Sequence, residues 1–202
     1  MERAAELART LPESAGLLRF YVEVARFQSA PPYQTEKLFE IVSRNAPGPA
    51  DGPSQAVREF CARVVSQAEA EHSAHAAAIP GGVQPVCPFC GEKPVCAVLR
   101  PESDGGKRFL LCSHCFTEWE FRRLLCPFCG EEDKDKLPIY TAEQFPYVRV
   151  EACDNCHTYV KAIDLTKNGL AVPEVDELAT SALDLWADEH GYTKLQVNLF
   201  GL

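Results

Sequence analysis

At 202 residues the chain has room for one ordinary domain or two small ones, and its 46% apolar content suits a folded globular protein. No apolar stretch approaches the roughly 18 residues that cross a bilayer, and the Met1-Glu-Arg3 start lacks a basic segment followed by an apolar run, so a cytoplasmic location is expected. A formal charge of −9 argues against a surface that coats nucleic acid broadly.

From Ala4 to about Ala78 the chain is rich in Ala, Leu, Glu and Arg, with Leu17, Phe20, Tyr21, Val24 and Phe27 at helical spacing. Three or four short helices are expected. Pro31-Pro32 and the run from Ala46 to Pro53 supply breaks, because proline removes backbone donors and glycine frees the dihedrals. Ser54 is placed to cap the helix that follows, and Ile79 to Pro85 reads as a linker.

Beyond the linker, eight of the ten cysteines fall in four Cys-x-x-Cys pairs: Cys87/Cys90, Cys112/Cys115, Cys126/Cys129 and Cys153/Cys156. Random placement at this cysteine frequency gives on the order of half a pair. A reducing cytoplasm favours thiolate–metal bonds over disulfides, so the eight thiolates are the expected ligands of two tetrahedral ions. Two such sites bring the charge to about −13. The pentapeptide Cys87-Pro-Phe-Cys-Gly91 recurs at Cys126-Pro-Phe-Cys-Gly130, 39 residues on, and the second pairs are offset by 41. Alternating segments, Phe116 to Phe121 and His157 to Ala162, follow the second pairs and suit β-strands. Two small metal-centred β modules result. Duplication of a self-contained unit favours sequential closure, first pair with second and third with fourth, whereas a cross-braced arrangement would interleave them.

In each Cys-Pro-Phe-Cys-Gly knuckle the glycine lets the chain turn so that amide N–H groups point at sulfur. Zinc and iron both accept four thiolates, and spacing does not choose between them. A complete sulfur shell leaves no position for substrate or activated water, which argues against zinc hydrolysis and for a chain that is not an enzyme. A thioredoxin-like exchanger would need one exposed pair rather than four pairs in two similar modules.

Cys61 and Cys96 stand outside the pairs and read as small buried apolar residues. His72 and His75, three apart on a predicted helix, suit a solvated face better than a metal site. His114 and His157 lie within or beside pairs that already supply four sulfurs, and Trp119 is expected to pack in the first module. Residues 172–190 return to helix, with Pro173 and acids at the start and Gly191 at the end. The apolar tail Val197–Leu202 is expected to dock on the core. Six Lys/Arg against five Asp/Glu in residues 87–130, and six against fourteen in 131–202, put the acidic excess in the C-terminal third.

The two knuckles, the segment Leu111-Cys-Ser-His-Cys-Phe-Thr-Glu-Trp119, the segment from Glu151 to Lys161, the run Asp176-Glu-Leu-Ala-Thr180 and the ending Val197-Asn-Leu-Phe200 resemble the formate dehydrogenase accessory proteins known as FdhE. The resemblance runs from about Pro85 to the C-terminus. It implies an α+β chain: an irregular helical N-terminal domain (1–84), two tandem rubredoxin-like or zinc-ribbon β modules (85–125 and 126–170), and a C-terminal helix and tail (171–202). It implies a cytoplasmic, non-catalytic maturation factor that binds the molybdenum-containing catalytic subunit of formate dehydrogenase. All eight paired cysteines match, as ligands of two metal ions, Fe or Zn. The N-terminal helical region is shorter than the resemblance leads one to expect. Two other functions remain as alternatives. Arg100, Lys107, Arg108, Arg122 and Arg123 among Phe109, Phe116, Trp119 and Phe121 suggest a nucleic-acid-binding zinc ribbon, and rubredoxin-like sites suggest an electron carrier.

Overall fold

The computed structural model describes residues 1–45, 54–77, 82–102 and 105–202. Four helices come first: α1 (Glu2–Thr10), α2 (Ala15–Gln28), α3 (Thr35–Asn45) and α4 (Gln55–His75). The expected break at Ala46–Pro53, and the start of the linker at 79–81, lie outside the described residues. Ser54 caps α4 as its position implies, its hydroxyl accepting from the Val57 N–H at 3.3 Å. Helix α2 ends at Gln28, ahead of Pro31-Pro32. Val24 and Phe27 of α2, Leu38 and Val42 of α3, and Cys61 and Val64 of α4 then form one buried cluster.

The cysteine region supplies β1 (Pro94–Glu102), β2 (Gly105–Cys112), β3 (Glu118–Glu120), β4 (Ile139–Thr141), β5 (Val148–Cys153) and β6 (Thr158–Asp164). In each half the strands pair antiparallel in chain order, β1 with β2 and β2 with β3, then β4 with β5 and β5 with β6. The halves are not separate sheets. Strand β1 pairs in parallel with β6, Cys96 opposite Lys161 through Leu99 opposite Asp164, giving one sheet in the order β3-β2-β1-β6-β5-β4. The first strand of one half is thus joined to the last strand of the other, the same way up. Strand lengths fit this join: the central β1 and β6 have nine and seven residues, whereas the edges β3 and β4 have three each. A short β7 (Thr193–Lys194) pairs with the start of β6 on the edge that β1 leaves open.

Position in the sheet explains why β6 does not alternate in burial as its sequence suggests. Every residue from Tyr159 to Asp164 is buried, including Lys161, because both edges are paired and both faces are covered.

The expected C-terminal helix is two, α5 (Pro173–Ala179) and α6 (Ser181–Glu189), broken at Thr180. The carbonyls at the end of α5 are taken from outside the helix. Lys161 Nζ donates to those of Glu177 (2.5 Å) and Thr180 (3.3 Å), and the Ser14 hydroxyl to that of Ala179 (2.8 Å). Gly191, at φ +81°, follows the end of α6. Helix α5 lies between the sheet on one side and α1 and α2 on the other, packing against β1 and β6 as well as both helices. The tail docks as expected, Phe200 contacting the rings of Phe20, Tyr21 and Phe60.

Candidate metal centres

Each centre is built from two knuckles, and all four share a local plan. In the first, the Cys87 N–H donates to the Glu92 carbonyl (2.8 Å) and the Gly91 N–H to the Cys87 carbonyl (2.9 Å), with Gly91 at φ +81°. The third repeats this with Cys126, Glu131 and Gly130, at φ +75°. The second and fourth make the same turn without glycine: Phe116 and His157, each directly after the second cysteine, have φ of 52° and 53°. A side chain in this region costs on the order of 1 kcal/mol.

The structure brings together Cys87, Cys90, Cys112 and Cys115 in one group and Cys126, Cys129, Cys153 and Cys156 in another, with each group's sulfurs all within 4.8 Å of one another. Closure is sequential. A tetrahedral ion with metal–sulfur bonds of about 2.3 Å sets its sulfurs roughly 3.8 Å apart. In the first group Cys87–Cys115 and Cys90–Cys112 are 3.5 and 3.4 Å, and in the second Cys126–Cys156 and Cys129–Cys153 are both 3.7 Å. The donor set therefore fits Fe or Zn, and each group can hold one ion. Backbone amides offset the sulfur charge as the knuckle geometry suggests: the N–H groups of His114 and Cys115 point at Cys112 Sγ (3.4 and 3.5 Å), and that of Phe128 at Cys126 Sγ (3.4 Å). The neighbouring Cys112 is the main cause holding the Cys115 thiol below its usual range.

The two groups differ in their surroundings. The first is enclosed: Cys87, Cys112 and Cys115 are buried with Trp119, Phe121 and Ala74 of α4. Helix α4 is tied to its second knuckle, Gln67 Nε2 donating to the Ser113 carbonyl (3.1 Å) and Ser66 Oγ lying 3.4 Å from His114 Nε2. Trp119 packs there as expected and donates from Nε1 to the Gln84 carbonyl (2.8 Å). In the second group Cys129 is exposed and Cys156 half-buried, and the flanking Leu124, Phe128 and Ile139 are exposed apolar side chains. Asn155 Nδ2 lies 3.5 Å from Cys129 Sγ.

Cys61 and Cys96 are buried, and burial pushes both thiols up. His72 and His75 are exposed and belong to neither sulfur group. The ring of His157 lies 6.2 Å from that of Tyr192. Of the five cations singled out in the sequence, four are paired: Arg100 with Glu118 (2.6 Å), Lys107 with Glu120 (2.8 Å), Arg108 with Glu151 (2.8 Å) and Arg122 with Glu132 (2.8 Å).

Sequence reasoning missed a buried ionic layer around α5. Asp176 accepts from Arg3 (Nη2 at 2.6 Å), from the Tyr147 hydroxyl (2.8 Å) and from the Val172 N–H (2.7 Å). On the facing side Lys161 and Lys194 hold Glu177 and Asp184, Lys161 Nζ lying 3.1 Å from Glu177 and 2.6 Å from Asp184. Burial alone would raise the Glu177 carboxyl; Lys161 and Lys194 overcome it and hold the group below the usual range. The signal was present, since Lys161 interrupts the apolar Tyr159-Val160 and Ala162-Ile163.

Residues 86–123 match the family model described as "FdhE, central domain" and residues 124–200 the one described as "FdhE, C-terminal domain". The chain is 41% identical over 116 residues to a "Protein FdhE homolog" of Aquifex aeolicus, covering 57% of this chain and 41% of that protein. A homolog of the same description from Shewanella oneidensis is 36% identical over 115 residues, 57% of this chain and 38% of that one. The matched stretch thus spans about two fifths of the length of these curated relatives. "The crystal structure of the FdhE protein from Pseudomonas aeruginosa" has the same fold, with a TM-score of 0.71 at 20% identity over 98% of this chain and 93% of that one. The fold likeness takes in the N-terminal helices as well as the two matched domains, which run without a gap across both sulfur groups, and the chain belongs to the FdhE family.

Proposed function

We propose that this chain is a non-catalytic maturation factor for formate dehydrogenase that works in the cytoplasm and binds the enzyme's molybdenum-containing catalytic subunit. The observation that carries the reading is the presence, inside two contiguous FdhE domains, of two four-cysteine groups with tetrahedral spacing. Cys87, Cys90, Cys112 and Cys115 would hold one ion, and Cys126, Cys129, Cys153 and Cys156 the other, Fe or Zn. Four sulfurs complete a tetrahedral shell, so such an ion supports the fold and tunes local charge without offering a place for substrate. Residues 85–125 and 126–170 are the proposed repeated units, between a helical domain (1–84) and the C-terminal helices and tail (171–202). Among the described residues no helix is long and apolar enough to cross a membrane, in keeping with a water-exposed partner surface. Pairing of Arg100, Lys107, Arg108 and Arg122 with carboxylates leaves little free positive charge for a nucleic-acid backbone.

Affinity purification of the tagged chain from its anaerobically grown host should recover the formate dehydrogenase catalytic subunit. Absence of that subunit, together with normal formate dehydrogenase activity in a deletion strain, would overturn the reading. Metal analysis and the visible spectrum of the same sample distinguish coloured ferric tetrathiolate from colourless zinc. A second reading, an electron carrier, draws on the exposure of Cys129 and requires reversible reduction of bound iron.

A further inference from the structure

A cavity of about 360 Å³ lies where α2, α4, α5 and the tail meet the second knuckle, beside the first sulfur group but outside it. That volume is within the range of small-ligand sites. Its apolar lining includes Val24, Leu178, Phe116 and Phe200, and the exposed His72 and His75 border it.

Two of the carboxylates lining this space make no ion pair among the described residues, although His75 of the same helix acts on Glu71 as a favourable charge. The molecule satisfies its other enclosed acids: Asp176 pairs with Arg3, Glu151 with Arg108 and Arg149, and Glu177 and Asp184 with Lys161 and Lys194, while Asp164 accepts from the Thr166 N–H and hydroxyl (3.0 and 2.5 Å). Glu71 and Glu174 have no ion pair among the described residues, and burial pushes both carboxyls above their usual range. The segments outside the description contain no Lys, Arg or His. Tyr21 also lines the cavity, and its hydroxyl makes no hydrogen bond among the described residues. Its phenol is pushed up, first by burial and then by the charges of Glu174 and Glu71, which line the same cavity.

Phe116, directly after the second knuckle, presents an aromatic wall to the cavity.

We infer that this cavity receives a lysine or arginine side chain, with its apolar neighbours, from an extended segment of a partner polypeptide. The apolar walls take the flanking residues and the aliphatic stem, and Glu71, Glu174 and Tyr21 receive the charged head. The cation supplies what the two carboxylates lack, and complementary charge singles it out from a neutral or acidic occupant. This rests on the reading of the chain as a protein that binds another polypeptide, but its test needs no formate dehydrogenase.

The probe is the peptide acetyl-Ala-Leu-Arg-Leu-Ala-amide, titrated into the zinc-loaded 202-residue chain and followed by amide chemical shifts, against the same peptide with neutral citrulline for arginine. Saturable binding is expected, with shifts at Tyr21, Glu71, Phe116 and Glu174. Citrulline should weaken it by about tenfold or more, as should Glu71→Gln with Glu174→Gln. Metal content and unfolding midpoint check the double variant; should it fail to fold, Glu71→Gln alone carries the comparison. Equal binding of the two peptides, unchanged binding by the variant, shifts elsewhere, or no saturation up to millimolar peptide would each overturn the inference. Protein that fails here but still co-purifies with the catalytic subunit loses this pocket assignment and keeps the proposed function.

Discussion

Four residues, Gly91, Phe116, Gly130 and His157, occupy equivalent left-handed positions after the second cysteine of each pair. Glycine does so freely, and a Cβ built on Gly130 meets nothing within 4 Å. Gly130→Ala is therefore a nearly pure backbone test: with its metals bound, the protein should lose about 1 kcal/mol in urea unfolding. At exposed His157 the reverse change, His157→Gly, should alter stability by less than about 0.5 kcal/mol, relief of strain being offset by the freedom glycine adds to the unfolded chain. A larger loss would mean that contact of His157 with Tyr192 outweighs the backbone. Lys161 is the opposite case, a residue whose side chain decides everything. Lys161→Met leaves Glu177 and Asp184 short of a cation and uncaps the end of α5, so a loss of about 3–5 kcal/mol is expected. A thermal midpoint within a degree or two of the parent would contradict that account. The knuckles were legible because Cys-Pro-Phe-Cys-Gly is a local pattern. The ionic layer was not, because its partners Arg3, Lys161, Asp176, Glu177 and Lys194 are drawn together only by the packing of α5.

At the scale of elements, α4 makes the two sulfur groups unequal. It covers the first group and bonds to its second knuckle, whereas Cys129 of the second group is exposed. Replacing a thiolate on a bound ion requires an incoming ligand to reach that ion. With both metals loaded, excess chelator should release one equivalent at least about tenfold faster than the other, and Cys153→Ser protein should show only the slow phase. Release of both ions in one phase would remove the distinction. Helix periodicity in α2 and the cap at Ser54 were readable in the sequence. The split at Thr180 was not, because residues 172–190 carry no breaker between Pro173 and Gly191, and the carbonyls that end α5 are claimed by Lys161 and Ser14 from elsewhere in the chain.

For the whole molecule, duplication was visible in the 39- and 41-residue offsets, but the way the copies combine was not. Strand pairing between β1 and β6 depends on registers more than 60 residues apart, and nothing in Cys96 to Leu99 names its partner. The shared sheet, and α5 packed between it and α1 and α2, predict a single cooperative unfolding transition in calorimetry. Two resolved transitions would show that the halves fold apart. Removing the second ion with Cys153→Ser should accordingly lower the stability of the first half too, read from the fluorescence of Trp119.

Joining the first strand of one copy to the last strand of the next is a rule that can be applied again without limit, and a chain obeying it could concatenate into a filament. Here it stops at two. The outer strands β3 and β4 have only three residues each, where the central seam pairs four residues of a nine-residue strand with four of a seven-residue one, and β3 begins and ends with Glu118 and Glu120, both engaged with cations. The same shortening that makes the edges poor strands turns an open-ended lattice rule into a finite pair.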